Sequence, residues 1–290
     1  MTKLERVRAS PYLTRSSPAS QLQSGLENFS PFLYPTPYIY KQPRTSRYDR
    51  SKKQQAAPAH VKMKLHAAVA ASLLALAAAA SAAGAVTFDA TNTASGTPGG
   101  RRFDQAVGLG YAKRVLSDAS AFIWRTFDQR SAAARKPVAA VTLVVEDIGG
   151  VAFTSGDAIH LSARYVGGYP SGGDVRAEVT GVLYHEATHV WQWDGRGAAN
   201  GGLVEGIADY VRLKAGYAPA HWVKPGQGDR WDQGYDVTAR FLDYCASLKP
   251  GFVAQLNAKM KDGYSDDFFA QITGKSVQQL WQDYKKKYGG

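Results

Sequence analysis

From residue 103 onward the spacing of apolar positions changes period several times. Ala106, Leu109, Val115, Leu116, Ala119, Phe122, Ile123 and Phe127 recur at helical intervals and predict one long helix over 103–128. KPVAAVTLVVED (136–147) is β-branched and bounded by Pro and Gly, the pattern of a buried strand. Shorter strands are predicted at 151–155 and 158–166, separated by the turn Ser155-Gly156-Asp157. Helical spacing then returns at 174–193 and 203–215, and again at 229–247, 250–261, 265–273 and 276–287, with Ser276 as N-cap of the last. A helix, then strands, then helices describe an α+β domain of about 200 residues with a helical C-terminal part. TFDATNTASGTPGGRRF, just before it, reads as an extended entry and a Gly-rich turn.

Residues 1–62 lack this periodicity and are rich in Ser, Pro, Tyr, Gln and Arg, so a disordered basic extension is expected there. MKLHAAVAASLLALAAAASAAGAVTF follows from Met63, with a basic start at Lys64, an apolar run from Ala67 to Ala80 and Ala-Ser-Ala at 80–82. That is the layout of a secretory signal peptide, and it divides the chain into 1–62, 63–82 and a domain at 83–290. Translation from Met63 would place the signal at the N-terminus. The rival reading, a signal anchor over 65–83, requires a short alanine-dominated run to span a hydrocarbon core of about 30 Å. The expectation is a secreted, extracellular protein without stable membrane association.

Charge narrows the partners. The chain carries 35 Lys+Arg against 24 Asp+Glu, but residues 1–62 hold 11 against 3 and residues 83–290 hold 23 against 21. The basicity lies mostly outside the domain, which argues against a nucleic-acid groove on it. The single cysteine, Cys245 in RFLDYCASL, excludes an intrachain disulfide and reads as a buried thiol.

The chemistry is concentrated in HEATHVWQWDGRGAANGGLVEGIADY, residues 185–210. His185 and His189 are one helical turn apart, so both imidazoles face one point. This is H-E-x-x-H, in which the histidines bind zinc and Glu186 is the general base for a water activated by the metal. A hydrolytic zinc site takes three protein ligands and keeps one position open. Gln192 and Gly195 stand where the H-E-x-x-H-x-x-G-x-x-H class requires glycine and histidine. The third ligand is therefore expected from the next helix, as Glu205 in LVEGIADY, with Asp209 one turn later to fix a histidine tautomer. A metal-free core network would have to bury the same carboxylates and histidines without a cation. Four oxyanion donors are candidates, Tyr210, Tyr235, His221 and Tyr165, with Tyr235 preferred. His160 reads as a surface or rim residue, and Trp191 and Trp193 as core or cleft-lining residues. The strand AIHLSARYV is expected to be the sheet edge to which an extended peptide adds.

The segments RRFDQAVGLGYAKRVLSDASAFIW, GDAIHLSARYVGGY, GVLYHEATHVWQWDGRG, GGLVEGIADYVRLKAGYAP and HWVKPGQGDRWDQGYDVTARFLDYC closely resemble the basic secretory protein family of plants, which has bacterial relatives. The resemblance covers about residues 86–289. It implies a zincin-like fold of the gluzincin type, with a small mixed sheet and active-site helices, and a secreted product linked to plant defence and stress. It also implies a zinc-dependent peptidase of one catalytic Zn²⁺ acting on peptides or proteins, with His185, Glu186 and His189 matching the family's motif and Glu205 and Asp209 its E-G-I-A-D segment. Two rivals remain: a non-catalytic secreted defence protein that holds zinc structurally and binds a wall or pathogen ligand, for which His221 is the fourth-ligand candidate, and a membrane-anchored form.

Overall fold

The computed structural model describes residues 85–289, all within one compact unit. The expected extension (1–62) and signal peptide (63–82) lie outside the described residues. The elements are β1 (Thr87–Asn92), α1 (Pro98–Ala106), α2 (Leu109–Thr126), β2 (Ala140–Glu146), β3 (Ala152–Ser155), β4 (Ala158–Ser162), α3 (Ala163–Gly168), α4 (Val175–Trp191), α5 (Gly201–Lys214), α6 (Tyr235–Leu248), α7 (Phe252–Lys259), α8 (Asp267–Thr273) and α9 (Val277–Tyr288). The α+β expectation holds: one small mixed sheet, ordered β1-β2-β4-β3, followed by a helical C-terminal part.

Three boundaries differ from the sequence reading, each for a local reason. The extended entry is a true strand, with β1 paired parallel to β2 from Thr87↔Ala140 to Asn92↔Val145. The single helix over 103–128 is two. Thr97 caps α1 by accepting from the Gly100 amide, and the chain breaks at Gly108, whose φ of 77° suits glycine. Ala106 and Leu109 carry an apolar spacing across that break and conceal it. The strand at 158–166 stops at Ser162, whose hydroxyl accepts from the Tyr165 amide and caps α3.

The edge assignment is also corrected. β4 runs parallel to β2 on one side and antiparallel to β3 on the other, so it is interior and β3 is the edge on that side, with β1 at the opposite edge. The tight turn at Gly156-Asp157 folds β3 back outside β4, an order that strand periodicity does not encode.

One face of the sheet carries the core. Val141, Leu143 and Val145 of β2 and Ile159 and Leu161 of β4 are fully buried, while the alternate positions other than Ser162 are partly exposed. α2 and α4 pack together on this side, α4 also lying against β3 and β4. A second apolar centre gathers the C-terminal helices around Phe241, whose ring lies 6.2 Å from Phe269, 5.4 Å from Trp281 and 5.7 Å from Tyr284. Cys245 is buried in α6, and its surroundings push its thiol pKa upward by desolvation, which leaves it unreactive.

Close approach of α5 to α6 depends on two glycines. A Cβ on Gly202 would stand 1.9 Å from the Asp232 carbonyl oxygen, and one on Gly206 would stand 2.2 Å from Thr238 Cγ2. Alanine favours helix over glycine by about 1 kcal/mol, so the net sign of Gly206→Ala reports which effect wins. The steric term is expected to dominate and to cost about 1–3 kcal/mol in chemical denaturation. A stabilised Gly206→Ala protein would show that the helices can separate freely.

Candidate metal and active site

α4 carries the first half of the site. Asp174 caps it by accepting from the Ala177 amide at 2.9 Å, and Glu178 adds negative charge in the first turn. Most of its residues are buried, including Glu186 at 6% exposure, so beyond its exposed first turn at Arg176 and Ala177 it is an interior helix. After Trp191 the backbone leaves the helix and passes Gly195, Arg196 and Gly197, all with φ between 59° and 81°. The Gly195 amide donates to the Met260 carbonyl and the Trp193 amide to Asn257 Oδ1, which fastens the turn to α7. Asn200 then starts α5 by accepting from the Leu203 amide.

Two helices thereby bring His185, His189 and Glu205 together. His185 Nε2 lies 3.1 Å from His189 Nε2 and 3.1 Å from Glu205 Oε2, and His189 Nε2 lies 3.5 Å from the same oxygen. Ligand atoms about 2.0–2.1 Å from a tetrahedral zinc stand roughly 3.3–3.4 Å apart, so the triangle has the dimensions of three corners around such an ion. Two nitrogens and a carboxylate oxygen are also a donor set that zinc accepts. Among the described residues the cluster has three members. His221 lies on the exposed loop after α5, outside it.

Asp209 Oδ1 accepts from His185 Nδ1 at 2.7 Å, which leaves Nε2 facing the triangle. Burial alone would lower the His185 pKa, but hydrogen bonds to Asp209 and Glu205 outweigh it and raise it to about 10. Burial also opposes ionisation of Glu205, yet the hydrogen bonds from His185 and His189 hold its carboxyl well below the usual range. A cation entering here meets an anionic carboxylate and must displace a proton from imidazole.

Glu186 is beside this triangle and not part of it. Thr154 on the edge strand β3 places its hydroxyl 2.7 Å from Glu186 Oε2 and 3.0 Å from the Glu186 carbonyl oxygen. Its single proton serves one of them at a time. Tyr235, with φ 46° at the start of α6, lays its ring nearly parallel to His185, 6.2 Å between centroids and 11° between planes. Its side chain is half exposed, and burial together with the charges of Glu205, Asp209 and Glu186 raises its pKa, so it is a hydrogen-bond donor at neutral pH.

The other tyrosine candidates are elsewhere. Tyr165 donates to Glu178, two turns before His185, and Tyr210 is buried beside Lys214. Trp191 is core, packed edge-on to Trp124 at 5.0 Å, and Trp193 is partly buried near Lys136 and Lys261. His160 is partly exposed, paired with Glu146 and stacked on Phe153 at 4.5 Å.

The family model described as peptidase of plants and bacteria (BSP) matches residues 83–284. The chain belongs to this family. Among curated proteins it is similar to the basic secretory protease of Boswellia serrata, 49% identical over 59 residues that make up 20% of this chain and 67% of the relative. No solved structure matches it. In this member of the family, no helix among the described residues is long and apolar enough to cross a membrane.

Two neighbours of the BSP site escape a reading of the motif. Thr154 lies 32 residues before Glu186, and nothing in the sequence marks it. Gln192 lies three residues after His189, and helical spacing does point to it. Its Nε2 is 3.0 Å from His189 Nδ1 and 3.2 Å from the Val204 carbonyl oxygen, while its Oε1 is buried without a partner. An imidazole that binds metal through Nε2 keeps its proton on Nδ1 and needs an acceptor there, which the Gln192 amide would supply through oxygen only by turning and giving up its Nε2 bond to the Val204 carbonyl. Gln192→Leu is therefore expected to weaken metal binding about 10–100-fold in a chelator competition. Unchanged affinity would show that Gln192 only fills space.

Proposed function

We propose that this BSP-family chain is a secreted zinc-dependent peptidase, with His185, His189 and Glu205 as metal ligands, Asp209 as orienting acceptor and Glu186 as general base. The observation that carries the reading is the three-atom triangle with a separate buried carboxylate beside it. Zinc held there would polarise a scissile carbonyl and make a water easier to deprotonate. Glu186, steadied by Thr154, takes that proton and returns it to the leaving amine. Tyr235 presents a protonated hydroxyl at the mouth of the site and donates to the oxygen that gains charge. The fold is of the zincin type in this reading, and the gluzincin pattern follows from a glutamate as third ligand.

Substrate alignment is supplied by β3. The Val151 carbonyl accepts from the Ser162 amide, and antiparallel alternation then leaves the amides and carbonyls of Ala152 and Thr154 facing the free edge. A peptide added there in extended form passes next to Glu186. The secretory name of the Boswellia serrata relative and the signal layout at 63–82 support an extracellular location.

The test is metal removal. Purified protein with about one equivalent of zinc is expected to cleave a mixed peptide library, to lose cleavage on chelation and to regain it when zinc is restored. Full turnover by metal-depleted protein would sink the proposal. So would a loaded protein that cleaves nothing, which would favour the non-catalytic defence reading.

A further inference from the structure

The C-terminal end of α2 and the segment after it border an open surface hollow of about 530 Å³, lined by Ala121, Trp124, Arg125, Gln129, Arg130 and Arg135. Its charge is unbalanced. Arg130 pairs with Asp128, but among the described residues neither Arg125 nor Arg135 has a carboxylate within ion-pair distance. Three guanidiniums against one carboxylate leave two positive charges at one small concavity.

Arg135 is the fixed member. Its guanidinium lies 3.6 Å from the Trp124 ring centroid, and its Nε donates to the Gln129 carbonyl at 3.0 Å. Stacking and that hydrogen bond spend one donor and leave the two terminal nitrogens free. Burial without a compensating anion pushes its pKa down, so an anion arriving there relieves a cost already present. Of the other lining residues, Trp124 has its indole Nε1 donor buried without a hydrogen-bond partner. Gln129 is 3% exposed, with its amide nitrogen turned to the Trp191 carbonyl oxygen at 3.5 Å. Native interiors seldom leave a donor such as the Trp124 indole N–H unpaired.

We infer that this hollow binds a dianionic phosphate-type oxyanion, either free phosphate or the phosphate of a phosphomonoester. Two unmatched guanidinium charges equal the charge of about −1.5 to −2 on a phosphomonoester at neutral pH, and a planar guanidinium fork meets two of its oxygens at once. A single carboxylate would leave one positive charge unpaired. The hollow has room for more than the phosphate, so the body of a small ester fits with it. This inference is independent of the catalytic proposal.

The full chain would be titrated with inorganic phosphate, glucose 6-phosphate and glucose at low ionic strength, by calorimetry and by tryptophan emission. Saturable binding of phosphate or glucose 6-phosphate with Kd about 0.1–1 mM is expected, and none of glucose. Equal affinity for the two anions identifies free oxyanion as the ligand; tighter glucose 6-phosphate identifies an ester. Arg135→Gln is expected to weaken binding about tenfold. Arg125→Gln, on the exposed end of α2, is expected to weaken it about threefold and keeps the test valid if loss of the Trp124 stack harms folding. Absence of saturable binding up to about 10 mM overturns the inference. Binding unchanged in both arginine variants also overturns it, since the anion would then be held elsewhere, at the metal site included.

Discussion

A Glu186→Gln protein is expected to keep its metal and to lose about 10²–10⁴-fold in kcat. The substitution preserves shape in a residue only 6% exposed, and the Thr154 hydroxyl can donate to an amide oxygen as it does to a carboxylate. Glu186 supplies no atom to the ligand triangle, so metal content has no reason to change. What disappears is the capacity to accept a proton. Metal content and peptide turnover measured on one preparation separate the two roles. Turnover equal to the wild type would remove Glu186 from the mechanism, and coincident loss of metal would move it into the ligand set.

The second large effect concerns Glu205. Glu205→Ala is expected to weaken zinc binding by more than about 100-fold, beyond the 10–100-fold typical of groups that only orient a ligand. The carboxylate is one of three donors, and it alone brings negative charge to the triangle. Its loss leaves two imidazoles from one helix, without the link to α5. Asp209→Asn is the informative comparison, since it retains all three ligands and alters only the hydrogen bond to His185 Nδ1. Chelator competition should rank wild type, Asp209→Asn and Glu205→Ala in that order. A Glu205→Ala protein that binds zinc like the wild type would exclude Glu205 as ligand.

The local parts of the site were legible because helical spacing is a local rule. His185 and His189 converge through one turn of α4, and Glu205 and Asp209 through one turn of α5, whatever the rest of the chain does. The intervening turn was legible from its glycines, two of which take positive φ. Contacts fixed only by the assembled fold were not. Thr154 reaches Glu186 across the packing of β3 on α4, and the position of Tyr235 over His185 depends on where α6 begins. The edge strand was misplaced for the same reason: alternation identifies a strand but not its neighbours. At Gly108 the apolar spacing continued through a backbone break, so periodicity concealed a turn that glycine alone signalled.

The open edge of β3 has a consequence for sequence selectivity. A strand edge is read by main-chain amides and carbonyls, which nearly every residue carries alike, so docking along it discriminates little among side chains. Proline is the exception, because it has no amide proton to offer the edge. Peptides with proline at the positions facing Ala152 and Thr154 would therefore be spared, whatever their remaining residues. Proline-rich chains would be naturally resistant to such an enzyme.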